Sequence, residues 1–195
     1  MSPRKSKFGK KFATHEQILD SAHNLLKTDG ISGASVEKVM NGAGLTIGGF
    51  YAHFKSKENL IAEALRYAFK RGREQSAAVL SGLTGRKWLE RYIRRYLSRA
   101  HRDNPAIGCP MPASLSDVQR AGEVVQDTLD AELQNWARDI AAHLPERDKS
   151  KAARDSLAIV ATCVGAMSLA RALGDRELSD KILCSARSYI LDQQE

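Results

Sequence analysis

The sequence predicts an all-α protein of about nine helices. Apolar residues recur at i, i+3, i+4 and i+7 along most of the chain. β-branched alternation is weak and no strand-like run stands out. Proline is scarce, at 5 in 195 residues, so breaks fall at a few marked places. With 43% hydrophobic residues the chain has the material for a real core.

Each element follows from a local signal. Residues 2–11, SPRKSKFGKK, hold five basic residues and no acid, and residues 1–13 read as a disordered basic arm. Thr14 and Gln17 form a capping box for a helix over 14–29, with Ile18, Ala22, Leu25 and Leu26 inward and Gly30 as its stop. Ser35 caps a short helix that turns Val36, Val39 and Met40 inward and ends at NGAG. Thr46 caps a very short one over about 46–53. Ser56 caps a helix over 57–80 with Leu60, Ile61, Ala64, Leu65, Ala68 and Phe69 on its apolar stripe. Longer helices follow at 84–103, 112–120, 121–143, 149–174 and 178–193. They are separated by SGLTG, DNPAIGCPMP, AAHLPERD and GDRELSD, with Gly174 and Ser179 bracketing the last turn.

Charge divides the chain. Residues 1–102 carry 20 Lys+Arg against 8 Asp+Glu, while residues 103–195 carry 10 against 15. A basic front on an acidic back implies a polyanionic partner for the front alone, nucleic acid or an anionic membrane surface. No signal-peptide core and no long unbroken apolar run appears, and three separated cysteines make no disulfide framework. These point to a cytoplasmic protein.

The stretch GLTIGGFYAHFKSKENL carries the chemistry. Two adjacent glycines each cost a helix roughly 1 kcal/mol against alanine, yet they sit beside the densest aromatic cluster of the chain. Two short helices joined by NGAGL form a helix-turn-helix signature, in which the second helix enters the major groove. Small residues then let the backbone approach DNA. Phe50 and Phe54 share a face and anchor the helix. Tyr51 points elsewhere, and Lys55 and Lys57 reach phosphates.

Residues SVEKVMNGAGLTIGGFYAHFKSKENLIAEAL resemble the DNA-binding domain of the TetR/AcrR family of transcriptional regulators. The resemblance is strong over about 14–65 and elsewhere extends to helix number and length. It implies a homodimer that binds double-stranded operator DNA, usually as a repressor, with a C-terminal domain for a small-molecule effector. Carried over by position, Ser35 and Lys38 match phosphate or base contacts. Thr46, Ile47, Gly48 and Gly49 match the base-facing start of the recognition helix. Tyr51, His53 and Lys57 match phosphate contacts. Glycine at 48 and 49 offers no side chain to a base, so specificity falls to Thr46, Ile47, Lys38, the arm or DNA shape. The expected division is an arm over 1–13, a helix-turn-helix domain over 14–60, and an effector-binding and dimerisation domain over 61–195, with the helix at 57–80 as link.

In the back half, Leu157, Ala161, Val164, Gly165, Ser168, Ile182, Ala186 and Tyr189 are the expected dimer contacts, the resemblance implying that the last two helices pair with their twins in a four-helix bundle. Trp88, Tyr92, Tyr96, Cys109, Met111 and Trp136 are the candidate effector pocket, since such sites are mostly apolar and aromatic. Cys109 lies by a helix start, where free N–H groups lower a thiol pKa, which would suit a redox or electrophile sensor. Cys163 and Cys184 are expected in the core. No phosphate loop, nucleophile elbow or metal-spaced cluster is present, so no enzyme, cofactor or metal is expected. The competing reading is a helical interaction or membrane-surface module using the basic arm.

Overall fold

The computed structural model describes residues 3–144 and 148–193, the side chains of residues 3–8 and 10 excepted. Among the described residues the chain forms ten α-helices and two 3-10 helices and no strand. They are α1 (Pro3–Thr28), α2 (Gly30–Gly33), α3 (Val36–Gly42), α4 (Lys57–Val79), α5 (Gly85–Tyr96), α6 (Arg99–Asp103), α7 (Met111–Val118), α8 (Glu123–Ala141), α9 (Lys149–Ala172) and α10 (Arg176–Asp192). The 3-10 helices are Ile47–Ala52 and Pro105–Ile107.

The head is built from α1, α3 and the Ile47–Ala52 helix, with the start of α4. Ile18, Ala22 and Leu26 of α1 pack with Val39 and Met40 of α3, Phe50 and Phe54, and Leu60 and Ile61 of α4. Tyr67 and Arg71 of α4 both donate to Asp20 of α1, at 2.8 and 2.7 Å, and hold α4 along α1. Beyond the head, Arg73 of α4 donates to Glu132 of α8 at 2.7 Å, and Arg66 donates to Thr128 at 2.8 Å. Helices α8, α9 and α10 pack in succession behind α4. Helix α9 has the length and hydropathy of a membrane span, but 44% of that apolar stretch is buried against the rest of the fold.

Four boundaries and one cap differ clearly from the sequence expectation. The basic segment is helical back to Pro3, in place of an arm ending at residue 13. Proline is well placed at a first helical position, and only Gly9 weakens the run that follows. Residues 1 and 2 lie outside the described residues, as does 145–147 of the break expected at AAHLPERD. Gly30 does not simply stop α1. It takes φ +70° and opens the single turn of α2, and a Cβ there would strike the Ala113 carbonyl. The helix expected over 84–103 breaks at Leu97. Ser98 caps α6 by accepting from His101 N–H, and the break brings Arg102 round to donate to Ser179 and Asp180 at 2.8 and 2.7 Å. Helix α10 starts at Arg176 under Asp175, which accepts from the Glu177 and Leu178 amides. Ser179 is instead buried and donates to the Ala170 carbonyl. Thr46 holds the extended N-cap position of its helix but makes no side-chain cap bond.

Candidate nucleic-acid interface and interior cavity

The short helix Ile47–Ala52 is anchored from one side only. Phe50 is 1% exposed and stacks on Phe54, with ring centroids 5.7 Å apart. Tyr51 is 77% exposed, and Thr46, Ile47 and Gly48 also face solvent. A Cβ at Gly48 would meet nothing within 4 Å, and one at Gly49 would make an ordinary contact of 3.6 Å with Met40 Cε. Neither glycine has a positive φ. The fold itself therefore does not require glycine at either position.

The flanking polar groups are set by caps. Ser35 Oγ accepts from Lys38 N–H at 3.2 Å at the start of α3, which leaves its own hydroxyl proton to donate outward. Lys38 extends its exposed chain towards Asp29, with Nζ 3.6 Å from the carboxylate. Ser56 caps α4 by accepting from Asn59 N–H, and Lys57 follows as the first helical residue. An ammonium beside free N–H groups at a helix start is a natural phosphate seat. His53 is half-buried beside His15, its Nδ1 is buried without a partner, and burial holds its pKa below the ordinary histidine value. Its ring is therefore neutral at pH 7.

A cavity of about 560 Å³ lies between α4, α5, α8 and the segment that precedes α7. Trp88, Tyr92, Tyr96, Cys109 and Trp136 line it together. Met111 does not, because it is fully buried in the core. Trp88 stacks between Tyr92, at 4.9 Å, and His143, at 3.9 Å. Trp136 Nε1 donates to Tyr92 Oη at 2.7 Å, which fixes the two rings. Burial pushes both the Tyr92 and Tyr96 phenols well above their usual pKa, so they are neutral donors. Burial likewise pushes the Cys109 thiol up, against the lowering expected from a helix start. Sequence reasoning missed the α4 wall (Phe69, Gly72, Ser76) and the polar members Arg95, Asp139 and His143. Arg95 was findable, since 88, 92, 95 and 96 fall on one helical face. Among the described residues no His/Cys/Asp/Glu group could hold a metal ion.

The expected dimer residues separate into three sets. Leu157, Ala161, Gly165 and Tyr189 are exposed, Leu157 at 54% and Tyr189 at 63%. Ser168, Ile182 and Ala186 are half-buried. Val164 is a core residue beside Cys163 and Met167, because α9 turns it towards its own bundle. Leu169, at 57% exposure, continues the outer stripe in its place. Cys163 is buried, whereas Cys184 is exposed on α10 and is not a core residue.

Residues 18–64 match the sequence profile of the bacterial regulatory proteins of the tetR family. Over almost its whole length the chain also superposes on a TetR transcriptional regulator from Chloroflexus aurantiacus, with 27% identity, a TM-score of 0.75, and 95% of this chain and 97% of that one covered. Residues 18–64 are thus a DNA-binding domain of the TetR family, on a chain with the fold of TetR regulators. The protein is a helix-turn-helix regulator of transcription. The fold is also that of Escherichia coli NemR in its reduced form, at 19% identity and TM-score 0.76, covering 91% of this chain and 95% of that one. A TetR-family regulator from Agrobacterium tumefaciens superposes at 19% identity and TM-score 0.75, covering 93% and 97%. No curated protein matches the sequence.

Proposed function

We propose that this TetR-family regulator is a cytoplasmic repressor, released from its operator when a small effector with a hydrophobic body enters the cavity. One observation carries the reading: a single helix serves both ends. Helix α4 begins at Lys57 beside the recognition helix, and its middle residues Phe69, Gly72 and Ser76 wall the cavity. These points are about 18–29 Å apart at 1.5 Å per residue. An effector that fills the cavity presses on α4, and α4 moves the head.

The remaining parts follow. Thr46, Ile47 and the backbone at Gly48 and Gly49 meet base edges, while Ser35, Lys38, Tyr51, His53 and Lys57 hold phosphates. The outer stripe of α9 (Leu157, Ala161, Gly165, Leu169) together with Tyr189 of α10 pairs with a second copy. Two half-sites on one DNA face lie about 34–36 Å apart or multiples of that, so a few ångströms of spreading between the heads breaks the fit. The half-buried, neutral Cys109 favours an unreactive effector over a reactive one.

The test is a gel shift on the DNA upstream of its own gene against random DNA, across a salt series. Tight, salt-sensitive preference for the upstream DNA is expected. Lys57→Ala should weaken binding to all sequences alike and shallow the salt slope by about one phosphate contact. Equal binding to both DNAs in the wild type overturns the regulator reading. By linkage, an effector found by tryptophan quenching must bind more weakly in the presence of operator by the same factor by which it weakens operator binding. A compound that fills the cavity with equal affinity in both titrations is not the inducer.

A further inference from the structure

The lining of the cavity is not evenly charged. Two guanidiniums face it. Arg73 is matched by Glu132 at 2.7 Å. Arg95, exposed at the cavity's edge, has no acidic partner among the described residues; the one hydrogen bond of its guanidinium is to Ser76 Oγ, at 3.2 Å, and that hydroxyl lines the cavity too. Its neighbour Arg94 is paired with Glu90, so local acid has been spent elsewhere.

Two further cations stand behind the wall without a carboxylate in ion-pair contact among the described residues. Arg171 donates Nη2 to the His101 carbonyl, while its Nε and Nη1 are buried without partners. It sits against Gly108, with Nη2 3.0 Å from where a Cβ at that position would lie. Lys27 is buried and gives its ammonium to the Ala106 carbonyl at 3.0 Å. The positive field of this corner is felt by its neighbours. After burial itself, Arg171, Arg95 and Lys27 all push His101 down, to about 4. The lining also holds one carboxylate, Asp139, that lies on the His143 side and partly offsets the burial that lowers the pKa of that ring. Arg95, Arg171 and Lys27 thus face one unmatched acid, and the balance of the cavity is positive.

We propose that the natural ligand of the cavity is an organic anion. Its flat apolar body lies along the Trp88–Tyr92–Trp136 wall and its carboxylate or sulfonate is held by Arg95 with Ser76. The shape follows from the stacked rings, and the sign follows from Arg95 having no acid of its own. A flat cation would meet the aromatic faces but also Arg95, Arg171 and Lys27. The inference rests on the reading of this cavity as the effector site.

Two dyes of one shape make the test. 1-Anilinonaphthalene-8-sulfonate and N-phenyl-1-naphthylamine share a ring system and differ by the sulfonate. Both are titrated by fluorescence into the full-length wild type, Arg95→Gln and Gly72→Trp. A Cβ at Gly72 meets nothing within 4 Å and the residue lines the cavity, so tryptophan there fills it. The sulfonate should bind the wild type about tenfold or more tighter than the neutral dye. Arg95→Gln should erase that preference and leave the neutral dye unchanged, and Gly72→Trp should weaken both. Equal affinities in the wild type, both lost in Gly72→Trp, overturn the anion inference and leave the cavity reading standing. A preference for the neutral dye has the same meaning. A sulfonate preference that survives in Arg95→Gln overturns Arg95 as the seat. Binding unaltered by Gly72→Trp, or no binding of either dye, overturns the cavity reading and the inference together.

Discussion

The Ser114 hydroxyl donates to the Leu26 carbonyl at 2.8 Å, fully buried, and ties α7 to the end of α1. The next residue of α1, Lys27, holds the Ala106 carbonyl, and Asp117 accepts from the Ser32 amide at 2.8 Å. The segment that walls the cavity at Gly108 and Cys109 is therefore clamped on both sides to the back of the DNA-binding head. This is a second mechanical connection beside α4. It makes head and body one structure through hydrogen bonds that a sequence reading could not pair.

Ser114→Ala should cost about 1 kcal/mol of stability, the net value of a typical buried hydrogen bond. Urea melts measure it. If the clamp transmits the effector signal, the variant keeps its effector affinity while the effector loosens operator DNA by a smaller factor. An unchanged factor assigns transmission to α4 alone.

Gly48→Ala separates folding from binding. A Cβ there meets open space and the backbone is already in a region open to any residue. The unfolded chain loses freedom, so stability should hold or rise by up to about 1 kcal/mol. Operator affinity should fall, because the methyl group stands where the backbone approaches the groove. A stable variant that binds DNA as well as the wild type removes Gly48 from the interface.

The local signals were the readable ones. The caps at Ser35 and Ser56 mark their helices correctly, and the Phe50–Phe54 pair is the internal anchor that its spacing indicates. Trp88, Tyr92, Tyr96 and Trp136 share one cavity as their aromatic character suggests. What failed depended on tertiary partners. Val164 lies on the apolar stripe of α9, but the neighbouring helices decide which edge of that stripe is buried. The break at Leu97 has no glycine or proline to announce it and is justified only by Arg102 meeting Asp180. His143 against Trp88, and Arg171 behind Gly108, join residues more than fifty positions apart, where no periodicity reaches.

Gly165→Arg tests assembly with little disturbance of the protomer. Gly165 is exposed and a side chain there meets nothing within 4 Å, so the single chain tolerates arginine. Across a close-packed pair of α9 helices the same residue would bury an unpaired charge, which costs several kcal/mol. The variant should sediment as a folded monomer at micromolar concentration and lose operator binding. A variant that stays dimeric places the interface elsewhere.

Acid should unfold this protein through its histidines. Burial lowers His23 and His101 to about 4 each, from the ordinary 6.5. His101 Nδ1 donates to the Tyr96 carbonyl at 2.6 Å while Nε2 accepts from the Cys109 amide at 3.0 Å, so a second proton has no place on the ring. His23 has its Nδ1 buried without a partner and sets its ring edge-on to Tyr67, 5.7 Å away. For both residues the unfolded chain takes up protons below pH 6.5 and the folded chain does not until about pH 4. The unfolded state therefore binds more protons in that window, and stability falls as pH falls from 6.5 to 4. Each residue contributes a slope of up to about 1.4 kcal/mol per pH unit. Asp103, Asp117 and Asp180 are held low by Arg102, the Ser32 amide and Arg102 again, so their losses come only below the usual aspartate range. His23→Phe keeps a ring against Tyr67 and removes one titration. Urea melts between pH 7 and 4.5 should show a steep decline in the wild type and a shallower one, by about one proton, in His23→Phe. Parallel declines in the two proteins would show that His23 does not stay neutral in the fold.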